Sequence, residues 1–166
     1  MNEFVKSALW QQLGASLNML ENAIRACPEH VWGNEFAFSE FWYMTYHTLF
    51  FLDLYLSDGL EGFNPPEPFG LTELDPAGVF PERVYTQAEL LLYLEHGRTK
   101  ARARIKSLTA EKAAQICDYS YIQGSVLDML LDTMRHVQHH TAQLNLLLRQ
   151  KLDDAPRWVT RTGQEL

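Results

Sequence analysis

The sequence predicts an all-α protein, a four-helix bundle with a long crossover loop between helices two and three. Three observations predict it. Four long segments place apolar residues at the three-and-four spacing of a helix face. Two of those segments open on capping boxes. Proline and glycine are concentrated in a single stretch, positions 59–85. A chain of 166 residues is one ordinary domain that buries about 70% of the surface its unfolded form exposes. A single domain over 1–166 is expected, with long helices near 3–27, 39–58, 87–107 and 126–152.

In the first segment Val5, Leu9, Leu13, Leu17, Leu20 and Ile24 form one stripe, and Pro28 ends the helix. The second helix is expected to start at Ser39 as N-cap and to run through "EFWYMTYHTLFFLDLYLS" to an Asp58-Gly59 stop. Its apolar residues go nearly all the way round, which places it centrally. Glu40, His47 and Asp53 within so short a stretch argue against a membrane span.

From Gly59 to Tyr85 five prolines and four glycines make the one long loop, and loops of that length tend to carry function or to cross a bundle. Thr86 to Glu89 is a capping box, with Tyr85 and Leu90 placed as a hydrophobic staple for the third long helix. Thr109 caps a short helix "AEKAAQI", and "CDYSYIQG" reads as extended. Ser125 to Asp128 is a second capping box and opens the last helix, which runs to about Leu152 before Pro156. The short link after the first helix makes helices one and two antiparallel, and the long connection permits helices two and three to run parallel.

That last helix carries "MRHVQHHTAQLNLLL". At 100 degrees per residue, Met129, Thr133, His136, His140 and Leu147 share one face, while His139 points toward the polar side with Asp128 and Arg135. His136 and His140 stand one turn apart, so their rings can converge on one point as two metal ligands must. His47 sits in the most apolar helix, among Tyr46, Leu49, Phe50 and Phe51, where an unpartnered imidazole would cost about 1 to 3 kcal/mol. A hydrogen bond to a carbonyl or a tyrosine would explain a lone histidine there. With a histidine pair on a second core helix, a third metal ligand is the better account, because bundle cores build metal sites from inward-facing residues of adjacent helices.

The "YHTLFFLDLYL" and "HVQHHTAQL" segments resemble the DinB/YfiT superfamily of four-helix-bundle metalloproteins, over essentially the whole chain. The resemblance implies that one histidine of the second helix and a pair on the last hold the metal, positions matched by His47, His136 and His140. Where members read His-Arg-Gly-Gln-Leu, this chain has His140-Thr141-Ala142-Gln143-Leu144. That change bears on any substrate contact by the arginine and leaves the ligand positions intact. The resemblance further implies a metal-dependent enzyme, a thiol S-transferase or hydrolase. It would activate a low-molecular-weight thiol, such as bacillithiol or mycothiol, or water, for reaction with a small electrophilic substrate. The reading from another class is a non-catalytic binding or assembly protein with a structural or adventitious metal.

Three neutral imidazoles leave coordination positions open for water or substrate. Zinc and nickel suit such a site best, and iron and manganese also fit it. Gln143 and Asp132 are placed to orient an imidazole, although an acidic residue early in a helix, as Asp132 is, needs no further reason. Metal binding should weaken below about pH 6.5, where ordinary imidazoles protonate.

Fourteen basic against twenty-one acidic side chains give a net charge of −7. That balance opposes phosphate backbones and anionic lipid, so neither nucleic acid nor a membrane is an expected partner. The N-terminal segment has no apolar signal core, and the expected compartment is the cytoplasm. Cys27 and Cys117 read as small core residues. The basic run "RTKARARIK" places five charges on alternate residues that fan around a helix, so a solvated surface is expected in preference to an anion site. Trp10, Trp32, Trp42, Phe36 and Phe38 read as core or dimer contact before pocket lining, and aromatic-rich bundles often pair as homodimers. His30 and His96 have no partner at useful spacing and read as surface. No nucleophile-elbow, phosphate-loop or dinucleotide glycine pattern occurs.

Overall fold

The computed structural model describes residues 1–33, 35, 37–119 and 122–166. The chain is mostly helical, with elements in the order α1 (Glu3–Ala26), α2 (Glu29–Trp32), α3 (Phe41–Tyr55), α4 (Gln87–Lys106), α5 (Ala110–Ala114), β1 (Ile116–Asp118), β2 (Gln123–Ser125) and α6 (Val126–Leu152). A 3-10 turn at Thr72–Leu74 lies between α3 and α4. The long helices α1 and α3 each pack against both α4 and α6. None of the described helices is long and apolar enough to cross a membrane.

Local chemistry sets the helix boundaries. Asn2 caps α1 by accepting from the Phe4 amide at 2.8 Å. The α1 stripe is buried from Trp10 through Leu13, Leu17, Leu20 and Ile24, whereas Val5 projects into solvent at the free end. α3 starts one residue later than the Ser39 cap predicts: Glu40 is the N-cap and makes no side-chain capping bond. It also closes earlier than the Asp58-Gly59 stop, with Leu56 as C-cap. Both boundaries give way to packing, since nearly every residue from Phe41 to Leu54 is buried. Burial holds this helix without help from its ends.

The capping boxes Thr86/Glu89 and Ser125/Asp128 both form. Thr109 caps α5 at the Lys112 amide. The segment after α5 is a two-stranded antiparallel ladder with Ile116 opposite Ser125 and Cys117 opposite Gly124, and Ser120 and Tyr121 lie outside the described residues. α6 ends at Asp153, which takes the left-handed conformation and donates its amide to the Arg149 carbonyl.

The long connection is pinned by aromatic residues. Phe69 is buried and stacks on Tyr93 of α4 with ring centroids 4.3 Å apart. The Tyr46 hydroxyl donates to the Gly70 carbonyl at 3.0 Å, and the Trp32 indole donates to the Tyr85 carbonyl at 2.9 Å. Trp10, Trp32 and Trp42 are all core, so none is a dimer contact, while Phe38 is 46% exposed. Phe36 lies outside the described residues. Cys27 and Cys117 are buried free thiols.

The basic run of α4 is solvated only in part: Arg102 and Lys106 are exposed, and the other cations reach neighbouring elements. Arg98 is buried and reaches α1, bonding Asn18 at 2.6 Å and Glu21 at 2.7 Å. Lys100 turns the other way, to the buried Asp53 carboxylate and to Ser57 Oγ at 2.7 Å. Arg102 returns to α1, over the Trp10 ring, and Arg104 reaches Asp58 beyond α3 at 2.5 Å. Residues two apart on a helix point about 200° apart, so a helix seated between two others can clamp both with alternate cations. His96 is likewise engaged: its Nε2 lies 3.3 Å from Asp53 Oδ1. His30 is exposed.

Two glycines permit close approach. A Cβ on Gly97 would lie 2.7 Å from a methyl of the buried Leu52, and one on Gly14 would lie 2.7 Å from Cβ of Thr162. The C-terminal tail lies along α1 at the second of these, with the Thr162 amide donating to the Gln11 carbonyl at 3.1 Å.

Candidate metal centre

α3 packs against α6, and this seam carries the three predicted ligands. His136 and His140, one turn apart, have ring centroids 4.6 Å apart. His47 of α3 stands 4.9 Å from the His140 ring and 5.4 Å from that of His136. Among the described residues these three form a group whose candidate ligand atoms all lie within 4.8 Å of one another. That spacing suits nitrogens sharing one ion, each about 2.0–2.1 Å from it, after small rotamer adjustment.

Two of the rings are held from behind. His140 Nδ1 lies 2.7 Å from Gln143 Oε1, and His47 Nδ1 lies 2.7 Å from Glu73 Oε2. Gln143 therefore stands behind an imidazole, whereas Asp132 pairs with Arg135 at 3.4 Å. The third ring differs: His136 Nδ1 is buried with no hydrogen-bond partner among the described residues. A buried unpaired ring nitrogen is costly, and a cation beside it would remove that cost.

Burial and the neighbouring imidazoles favour the neutral form of His136 and His140. Burial, then the nearby His140 and His47, pushes the His136 pKa down to about 3. Burial, then His47, pushes that of His140 down to about 4. Acid competition at these two positions thus falls well below the ordinary imidazole value of about 6.5 used in the sequence reading. Neutral imidazoles are the form that binds divalent transition metals.

Aromatic edges enclose the cluster. Phe51 lies 4.8 Å from the His47 ring and 5.8 Å from that of His136. Phe38 lies 5.2 Å from His47 and 6.3 Å from His140. A cleft of about 450 Å³ opens on the group, lined by His47, His136, Phe51, Tyr55, Glu73, Leu74, Asp75 and Pro76. A larger cleft of about 690 Å³ between α1, α6 and Trp158 shares only His136 with the cluster. The smaller cleft is the one that joins two of the three rings to solvent, so it is the route by which a ligand would arrive.

Glu73 escaped the sequence reading. It sits in the long connection, where no periodicity separates it from Glu61, Glu67 or Glu82. Arg98, Lys100, Arg102 and Arg104 point to the α1 and α3 flanks and form no anion site beside the cluster. No family model, curated protein or solved structure matches the chain.

Proposed function

We infer that the protein is a DinB-like metalloprotein in which His47, His136 and His140 hold one divalent transition-metal ion. Its architecture in this reading is a four-helix bundle of α1, α3, α4 and α6, with residues 56–86 crossing between α3 and α4. One observation carries the reading: three imidazoles from two helices present candidate ligand atoms within 4.8 Å of one another. The orphaned His136 Nδ1 supports it. A donor set of neutral imidazoles fits zinc or nickel first, and iron or manganese next.

We read the centre as catalytic, acting on a small electrophilic substrate with a low-molecular-weight thiol or water as the attacking group. An ion held by these three imidazoles would supply Lewis acidity, which would lower the pKa of a bound water or thiol or polarise a carbonyl oxygen. The chain's residues supply the rest. Phe38 and Phe51 shield the rings from bulk water, and Tyr55, Leu74 and Pro76 offer apolar walls to a small substrate. Gln143 keeps the His140 ring oriented by accepting from Nδ1.

The test is elemental analysis of protein purified without a polyhistidine tag, for the wild type and His47→Ala, with thermal midpoints of both. Stoichiometric metal in the wild type and none in the variant, at nearly equal midpoints, supports a catalytic centre. A collapsed midpoint in the variant supports a structural ion. Wild-type protein that takes up no metal refutes the ligand assignment. Turnover of a model electrophile with one of several biological thiols then identifies the reaction.

A further inference from the structure

The connection between α3 and α4 brings two carboxylates, Glu73 and Asp75, to the cleft, and Glu73 is the one bonded to a ring of the cluster. Glu73 lies in the 3-10 turn Thr72–Leu74, its side chain only 4% exposed, with Oε2 2.7 Å from His47 Nδ1. The turn is docked by the neighbour of that histidine: the Tyr46 hydroxyl donates to the Gly70 carbonyl at 3.0 Å and lies 3.3 Å from Thr72 Oγ1. Burying a carboxylate is costly unless it is paired and hydrogen-bonded; Oε2 meets His47, while Oε1 is buried with no hydrogen-bond partner among the described residues. The buried carboxylate of α3, Asp53, meets the Lys100 ammonium as well as the His96 ring, whereas the ionic partner found for Glu73 among the described residues is the His47 imidazole.

We propose that Glu73 is a positioning residue that holds His47 in the Nδ1-protonated tautomer, so that Nε2 is the nitrogen presented to a divalent cation. The proposal rests on the reading of His47, His136 and His140 as ligands. A neutral imidazole has one donor and one acceptor nitrogen, and an ionised carboxylate only accepts. Contact through Nδ1 therefore makes that nitrogen the donor and leaves the lone pair on Nε2. A carboxylate behind a ligating imidazole also fixes the ring plane and raises the basicity of the ligating nitrogen. His140 has the same arrangement with the neutral Gln143, so the anionic support falls on the ring that comes from the other helix.

The tautomer is read in metal-free protein carrying nitrogen-labelled histidine, by long-range proton–nitrogen correlation at about pH 8, where ordinary imidazoles are neutral. The His47 signals are assigned by their loss in His47→Ala. The expected wild-type spectrum shows His47 protonated at Nδ1. Glu73→Gln keeps that form, because the amide oxygen accepts, and Glu73→Leu shifts it toward Nε2 protonation. Tyr46→Phe removes the neighbouring anchor of the same turn and leaves the tautomer unchanged. A wild-type His47 protonated at Nε2, or a Glu73→Leu spectrum identical to wild type, overturns the proposal.

Cobalt(II) titration followed by its visible absorption gives the second readout. Glu73→Leu weakens cobalt binding about 10- to 100-fold and shifts the absorption bands, and Glu73→Gln stays within a few-fold of wild type. Equal affinity in Glu73→Leu and wild type overturns the metal-directed part. A wild type that takes up no cobalt refutes the ligand reading, while the tautomer spectrum still decides the positioning.

Discussion

Gln143 Oε1 lies 2.7 Å from His140 Nδ1, one turn farther along the same helix, so the acceptor and the imidazole it holds move as one unit. The amide adds no charge, and its contribution is orientation. Gln143→Leu is expected to lower cobalt or zinc affinity about 10-fold or more, while Gln143→Glu retains binding. Competition with a chromophoric chelator measures both.

In the metal-free protein, stability is expected to fall with acid from about pH 6.5 downward. The folded pKa values of His136 and His140 are about 3 and about 4, below the unfolded value. Between those limits the unfolded chain binds more protons than the folded one, so stability rises with pH there. The contribution is fully present above the unfolded value and is lost as pH drops toward the folded values. Urea midpoints across this range should decline on acidification, and the double variant His136→Gln/His140→Gln should flatten the decline.

Gly97→Val is expected to destabilise the protein by about 2 kcal/mol or more, through overpacking and the entropic cost of a β-branched residue in a helix. The added Cβ would lie 2.7 Å from a methyl and 3.3 Å from Cγ of Leu52, whose side chain is fully buried among core residues. Gly59→Val, where an added Cβ meets nothing within 4 Å, is the control in the same denaturation assay.

Asp53→Ala is expected to cost about 3 kcal/mol, because it leaves the Lys100 ammonium without its counter-charge, bonded only to Ser57 Oγ and a backbone carbonyl, and the Tyr93 hydroxyl without its carboxylate acceptor. Asp53→Leu/Lys100→Met should recover much of that loss. Chemical denaturation of the single and double variants measures the coupling.

The helices were legible because their signals are local. Capping boxes at Thr86/Glu89 and Ser125/Asp128, and the stripe through Leu13, Leu17 and Leu20, involve residues within one or two turns of each other. The start of α3 was not, because its N-cap Glu40 makes no capping bond and tertiary burial sets the boundary. The three histidines could be singled out because an imidazole in an apolar helix needs a partner. Glu73 could not, since what distinguishes it is a fold of the connection that returns it to His47. The run Arg98 to Lys106 was legible only in part, its exposed members Arg102 and Lys106 but not the bonds of Arg98 and Lys100, for a related reason. Alternate charges on a helix look scattered in isolation, and become two ordered rows only when a neighbour lies on each flank.

Those two rows give α4 separate fastenings on its two sides. Arg98 and Arg102 serve the contact with α1, and Lys100 and Arg104 serve the contact with α3 and the residues just after it. The imidazoles straddle a different boundary, between α3 and α6. Surface redesign of α4 can therefore tighten or relax the scaffold on either flank while the three histidines keep their own packing, which makes this helix the natural handle for engineering heat tolerance.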